Sequence, residues 1–222
     1  MLAINEMVVS FPAYINEPVS RMIESCARRI ELPAKKIFVC PGDAIDTILF
    51  IAEGRTRHYM ISSEGIEKVI YILNRGWFLR ESVFVFDNFR VAARYSITEM
   101  KTVLFSIDFC QFNHLMEFPD FAKALLRSSC IKNEVLRRHT ESLTFDSGKK
   151  RFLKLLVSLA DRNVIKDGTW HPLTVKYTQS EIASIIGVNR VTISRFTSEL
   201  CDEGAIRVVN RRIQLNSKIL AG

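Results

Sequence analysis

Residues 178–196 constrain the fold of this chain more than any other stretch. They read Thr178-Gln179-Ser180-Glu181-Ile182-Ala183-Ser184-Ile185-Ile186-Gly187-Val188-Asn189-Arg190-Val191-Thr192-Ile193-Ser194-Arg195-Phe196. Thr178 and Glu181 have the T-x-x-E spacing of a capping box, so a helix starts there. Ala183 is small where two helices must approach closely. Gly187 follows four residues later and supplies the positive φ that a tight turn requires. Asn189 is a good N-cap for a second helix. Ile182, Ile186, Val188, Ile193 and Phe196 supply a shared core. Two helices joined at this spacing form a helix-turn-helix, whose second helix lies in the major groove of double-stranded DNA.

The flanks extend the motif. His171–Tyr177 reads as a strand, and Ala205–Val209 with Ile213–Leu215 reads as a hairpin around Asn210-Arg211-Arg212. Together they predict a winged helix with a basic turn, Arg211-Arg212, placed to reach phosphate. On the second helix Asn189, Arg190, Val191, Ser194 and Arg195 are the exposed candidates for DNA contact. Thr192 suits a phosphate or sugar, where a short hydroxyl serves. Arg195 can present a bidentate fork to guanine or clamp a phosphate, whereas Val191 offers only apolar contact to a thymine methyl. Thr178 and Gln179 at the start of the first helix belong to the same candidate set.

Charge agrees with a polyanionic partner. Residues 1–148 carry 18 basic and 18 acidic side chains, and residues 149–222 carry 13 and 6, so the whole net charge of +7 lies in the last third. A neutral body with a basic end predicts one part that senses or assembles and one that meets a polyanion. No run of about 18 apolar residues exists to span a membrane. The N-terminal Met1-Leu2-Ala3-Ile4-Asn5-Glu6 lacks a secretion-signal pattern. A cytoplasmic location is therefore expected. Cys26, Cys40, Cys110, Cys130 and Cys201 are scattered without a CxxC pair, which argues against a zinc ribbon or a tightly spaced iron–sulfur loop. They read as reduced, mostly buried thiols, and no metal or cofactor is expected.

The first half of the chain has a different rhythm. Gly42, Gly54, Gly65 and Gly76 separate β-rich stretches at 48–51, 57–61 and 68–73, with 91–95 and 101–106 continuing the pattern. Short strands with regularly spaced turn glycines predict an antiparallel barrel or jelly roll. From Phe118-Pro119-Asp120 to about Leu143 there is no Gly or Pro. Phe121, Leu125, Ile131, Val135, Leu136 and Leu143 recur there at helical spacing, interrupted by Ser128, Ser129 and Lys132. That helix is too polar for a buried core and too apolar for solvent, which suits a homodimer seam. Phe145-Asp146-Ser147-Gly148 breaks it, and Lys149–Arg162 forms an amphipathic helix with Phe152, Leu155, Leu156 and Leu159 inward. The expected fold is α+β: an antiparallel β-roll over 1–118, a dimerisation helix and hinge over 119–145, and a winged helix-turn-helix over 146–222.

This order of elements resembles the CRP/FNR family of transcription regulators over nearly the whole chain. The residues that carry the likeness are Thr178-Gln179-x-Glu181-Ile182-Ala183, Gly187 and Arg190-x-Thr192-Ile193-Ser194-Arg195. The resemblance implies a cyclic-nucleotide-binding-like β-roll and a homodimer on inverted-repeat DNA. It also implies a small-molecule effector that reorients the DNA domains, and RNA polymerase as a further partner. Cyclic-AMP-binding members carry Gly-Glu and, further on, Arg-Ser/Thr-Ala. Here Arg80-Glu81-Ser82 and Arg90-Val91-Ala92 stand instead, so the phosphate cradle loses its glycine and its hydroxyl. The iron–sulfur branch needs an N-terminal cysteine cluster that is absent. No axial haem ligand announces itself among His58, His114, His139 and His171.

Within the family the chain resembles the halorespiration regulators, which sense chlorinated phenols. Gly187-Val188-x-x-Val191-Thr192-x-Ser194-Arg195 and Glu67-Lys68-x-x-Tyr71 carry that likeness. Valine at 191, where oxygen sensors have glutamate, implies TTAAT-like rather than TTGAT-like half-sites, because valine cannot accept from cytosine N4. Lys132 aligns with the lysine that meets the phenolate, and a cation beside an apolar pocket favours the ionised phenol. Tyr71, Arg80, Glu81, Asn88, Arg90 and Lys132 thus form the candidate effector site. Three other readings stand beside it: control through Cys130 or Cys201 as thiol switches, a constitutive regulator, and a β-roll metal enzyme. The last would need several His and carboxylates converging in the barrel. Only His58 and His114 lie in that region, without an HxH pair.

Overall fold

A computed structural model of the chain describes residues 10–85 and 91–220. The candidate effector residues Asn88 and Arg90 lie outside the described residues. The chain divides into two compact units. Among the described residues the first holds those from Ser10 to Met60 and from Ile70 to Arg137, and the second holds Ile61–Val69 and those from Arg138 to Leu220. The α+β class and the β-roll followed by a helix-turn-helix are as the sequence predicts.

The first unit begins with strand β1 (Ser10–Phe11) and helix α1 (Glu17–Cys26), which has Asn16 as N-cap and proline in its first turn. Strands β2 (Arg28–Leu32), β3 (Ile37–Val39), β4 (Ile48–Glu53), β5 (Arg55–Ile61), β6 (Glu67–Asn74), β7 (Phe78–Leu79), β8 (Tyr95–Thr98) and β9 (Thr102–Ile107) follow. They form a five-stranded sheet in the order β1-β6-β5-β8-β3 and a four-stranded sheet in the order β2-β9-β4-β7. The β1–β6 pair is parallel, and the other registers recorded in these two sheets are antiparallel.

Strand β9 is buried along its whole length and β4 along all but its last residue. A strand without polar alternation is covered on both faces. One face of the four-stranded sheet packs Phe50, Phe78 and Phe105 against Val19 and Ile23 of α1 and against Phe112 and Leu115 of helix α2 (Phe109–Met116). Phe121 and Leu125 of helix α3 (Pro119–Phe145) complete that core. The four turn glycines at 42, 54, 65 and 76 all have positive φ. Gly76 also admits no side chain, because a Cβ there would fall on the carbonyl of Tyr14.

Three sequence expectations are corrected. The stretch 91–95 is not a strand: Val91 makes only an isolated bridge to Ala44, and β8 starts at Tyr95. The strand expected over 171–177 is the short β10 (Trp170–Pro172). Beyond it Leu173 bridges Ala160 and Thr174 N donates to Leu159 O at 2.8 Å, which draws the chain out of the sheet. The cysteines are free but not buried: Cys40, Cys110 and Cys130 are exposed, and Cys26 and Cys201 are half-buried.

The second unit continues α3 and turns at Asp146 into helix α4 (Gly148–Leu159), which Ser147 caps. Asp146 is held by Lys150 at 2.8 Å, Lys154 at 2.5 Å and the Ser142 hydroxyl at 2.9 Å. These hydrogen bonds hold its carboxyl well below the usual carboxylate range. Helices α5 (Gln179–Ile186) and α6 (Arg190–Asp202) come next, and then strands β11 (Ile206–Val209) and β12 (Arg212–Asn216) and the short α7 (Ser217–Leu220). Strands β10, β12 and β11 make a three-stranded antiparallel sheet. Among the described residues no helix is long and apolar enough to cross a membrane.

Candidate nucleic-acid interface and a polar cavity

The helix-turn-helix is assembled by local hydrogen bonds. Thr178 Oγ1 accepts from Glu181 N at 3.2 Å, and Thr178 N donates to Glu181 Oε2 at 2.7 Å, a complete capping box. Gly187 ends α5 at φ +75°, and its N–H and that of Val188 both donate to Ala183 O, at 2.9 and 3.1 Å. Asn189 Oδ1 then accepts from Thr192 N at 2.8 Å and from the Thr192 hydroxyl at 2.8 Å, which starts α6. Ile182, Ile185 and Ile186 of α5 and Ile193, Phe196 and Leu200 of α6 are buried. Phe152 of α4 stacks on Phe196 with centroids 6.4 Å apart.

That packing leaves one face of α6 outward. Arg190, Val191, Ser194 and Arg195 are exposed, and Val191 is 78% exposed although apolar. The Arg195 guanidinium lies 3.7 Å from Glu199, an exposed pair that a phosphate or a base edge can displace at small cost. Thr192 is half-buried and its hydroxyl is engaged by Asn189. Thr178 is exposed and Gln179 half-buried at the start of α5. The wing turn differs by one residue from the expected Arg211-Arg212. Asn210 and Arg211 occupy the turn with φ of 50° and 59°, while Arg212 is the first residue of β12, opposite Val209. A two-residue turn with two positive φ values matches the right-handed twist of its strands. Both arginines are exposed.

Residues 150–218 match the family model for the Crp-like helix-turn-helix domain. This stretch is thus a Crp-like helix-turn-helix domain. Its sequence is 24% identical over 184 residues to the cAMP-activated global transcriptional regulator CRP of Salmonella typhimurium, covering 82% of this chain and 86% of that protein. Among solved structures it resembles the c-di-GMP responsive global regulator CLP of Xanthomonas campestris (TM-score 0.76, 16% identity, 90% of this chain and 99% of that one). It also resembles CprK complexed with OCPA (TM-score 0.73, 17% identity, 94% and 95%). These structural likenesses establish the shared fold.

The first unit contains a cavity of about 150 Å³. Its polar lining is His58, Tyr71, Arg80, Ser82, Arg94 and Ser96, and Phe38, Ile45, Leu79 and Val91 contribute apolar wall. Two guanidinium groups and no carboxylate line it among the described residues. Arg94 Nη1 donates to the Tyr71 hydroxyl at 2.9 Å. His58 bridges Thr56 Oγ1 at 2.9 Å and Ser96 Oγ at 2.8 Å, with its ring 4.8 Å from that of Tyr71. Burial, with Arg94, Lys132 and Arg80 nearby, pushes the His58 imidazole well below its ordinary range and keeps it neutral. Burial pushes the Tyr71 phenol up, so it stays protonated. Burial lowers the Arg80 guanidinium, against the opposing pull of Asp46 and Asp43. Arg80 holds φ at +64°, a left-handed conformation that costs a non-glycine residue about 1 kcal/mol or more.

The expected effector residues thus separate into two groups. Tyr71 and Arg80 line the cavity. Lys132 and Glu81 form a buried ion pair, with Lys132 Nζ also donating to Phe78 O at 2.7 Å and the Ser128 hydroxyl donating to Glu81 at 2.8 Å. The ammonium sits 5.8 Å from the centre of the Tyr71 ring. Its charge is therefore already balanced by Glu81, whereas the resemblance implied a lysine that meets a phenolate. Sequence reasoning missed His58, Arg94 and Ser96. Cross-strand pairing brings them together: His58 of β5 lies opposite Ser96 of β8. No linear motif links these positions.

Proposed function

We propose that this chain is a homodimeric, effector-switched regulator that binds inverted-repeat DNA through α6, with residues 1–118, 119–145 and 146–222 as effector, dimerisation and DNA-binding parts. The observation that carries the reading is the outward face of α6. Arg190, Val191, Ser194 and Arg195 are presented together at its N-terminal half, the half that meets base edges in a helix-turn-helix. Val191 favours a thymine methyl, which supports TTAAT-like half-sites. Thr178, Gln179, Asn189, Thr192, Arg211 and Arg212 serve phosphate contacts or the geometry of the turn and wing. The exposed Leu126, Leu143 and Phe145 along α3 favour burial against a second copy, and RNA polymerase is the further partner.

The effector is a small anion with one aromatic ring, held in the cavity by Arg80 and Arg94 with Tyr71 as a neutral hydrogen-bonding wall. A volume of about 150 Å³ suits a single ring. The absent glycine at position 80 disfavours a cyclic phosphate, and the paired Lys132 and Glu81 support the Tyr71 wall. An exposed Cys130 on α3 keeps thiol control as a second reading.

The test is fluorescence-anisotropy titration of a palindromic TTAAT-N4-ATTAA duplex at fixed salt, because affinity for DNA depends steeply on salt. Halogenated phenols, aromatic carboxylates, cyclic nucleotides and oxidant are compared. Tight binding only with an aromatic anion is expected. Tight binding without additive rejects effector control, and binding gated by oxidant alone favours the thiol reading.

A further inference from the structure

Strand β6 carries a half-buried lysine that the proposed DNA-contact face and the cavity leave unexplained. Lys68 Nζ donates to Ile185 O, one of the last carbonyls of α5. Its stem bears on the turn itself, since a Cβ on Gly187 would come 3.1 Å from Lys68 Cδ. The next carbonyl, Ile186 O, accepts from Arg151 Nε at 3.1 Å, and Arg151 Nη1 donates to Asp146 O at 2.7 Å. The final carbonyls of a helix have no partner within it, and its C-terminal end favours positive charge. Here two cations from different elements satisfy neighbouring carbonyls at the junction between α5 and the recognition helix.

The arrangement is costly. Burial, with Arg151 nearby, pushes the Lys68 ammonium down to about 7. His139 of α3 is 9% exposed with no hydrogen-bond partner on either ring nitrogen, and burial with Lys68 and Arg151 nearby lowers it to about 4. A surface lysine in solvent would avoid this penalty.

We propose that Lys68 is a positioning residue for DNA recognition: it caps α5, bears on the Gly187 turn and couples strand β6 to the orientation of α6. This rests on the reading that α6 binds DNA. Tyr71, on the cavity wall, lies three residues along β6 from Lys68, roughly 10 Å in an extended strand. Lys68 contributes no DNA contact in this scheme. It sets where the DNA-contacting helix begins.

The test uses the full chain with Lys68→Ala, Lys68→Arg and Arg195→Ala, read in two ways. One is hydrogen–deuterium exchange of the peptide spanning residues 183–192. The other is anisotropy with the TTAAT-N4-ATTAA duplex at low salt, where weak binding is also measurable. Lys68→Ala is expected to speed exchange in that peptide several-fold and to weaken DNA binding about fivefold or more. Lys68→Arg, which keeps a donor, is expected to restore most of both. Unchanged exchange, faster exchange with unchanged affinity, or tighter DNA binding by Lys68→Ala each overturns the positioning role. Arg195→Ala separates the two readings. If it binds DNA as the wild type does, the assignment of α6 fails; if it alone loses affinity, only the role of Lys68 fails.

Discussion

The helix-turn-helix and the polar cavity are built on opposite principles. In residues 178–192 the deciding hydrogen bonds join neighbours: Thr178 with Glu181, Gly187 and Val188 with Ala183, and Asn189 with Thr192. In and beside the cavity the deciding contacts span long stretches of chain: His58 with Ser96 and Tyr71 with Arg94 in its wall, and Glu81 with Ser128 and Lys132 next to it. A local motif tolerates drift elsewhere in the protein. A cavity assembled from separated strands depends on the register of every strand that feeds it. The neighbouring Lys132–Glu81 pair is buried charge, whereas the outward face of α6 keeps its charge in water.

That difference sets the expected response to substitution. The largest effect belongs to the ion pair beside the cavity. Glu81→Gln leaves the Lys132 ammonium buried without its counter-charge, which costs on the order of 3–5 kcal/mol. Thermal unfolding at neutral pH should show a large fall in midpoint. Burial already lowers the Lys132 ammonium from its ordinary range, so the folded variant sheds the proton more readily than the unfolded chain. Its stability deficit should therefore shrink as pH rises towards the ordinary lysine value. A deficit constant from pH 7 to pH 10 would show that the ion pair is not what stabilises this region.

On the DNA side, Arg195→Ala should leave unfolding unchanged and weaken operator binding by about 1–3 kcal/mol, roughly five- to two-hundredfold. A matching loss of thermal stability would mean that Arg195 supports the fold, and the contrast between the two regions would fail. The smallest effect is expected for Thr178→Ala. It removes the hydroxyl that receives Glu181 N and should cost about 1 kcal/mol of stability. Circular dichroism melting of the full chain checks this. A loss as large as that of Glu81→Gln would overturn the view that the motif draws its stability from many small local terms.

The sequence shows the motif and much of its chemistry without the fold. The T-x-x-E pair, the glycine and the asparagine each dictate a backbone geometry within four residues, and every one of them adopts it. The wing was legible as a hairpin but shifted by one residue. Arg211 and Arg212 are both basic, and only strand pairing shows that Arg212 belongs to β12. The strand expected over 171–177 failed for a related reason: Val175 and Tyr177 have strand propensity, but the chain leaves the sheet after Pro172. At the cavity, Tyr71 and Arg80 were reached by resemblance, while His58 and Arg94 carried no sequence signal.

By itself, then, the sequence determined what short-range geometry can encode: the caps, the turn glycines, the amphipathic helices and the basic excess of the last third. Tertiary structure alone decided which distant groups share an environment. It paired Lys132 with Glu81 and placed Arg94 against Tyr71. It also carried Lys68 from β6 to the end of α5, 117 residues away in sequence. The physical reason is one of range. Backbone preferences and capping act over a few residues, whereas burial and charge pairing depend on where the chain returns.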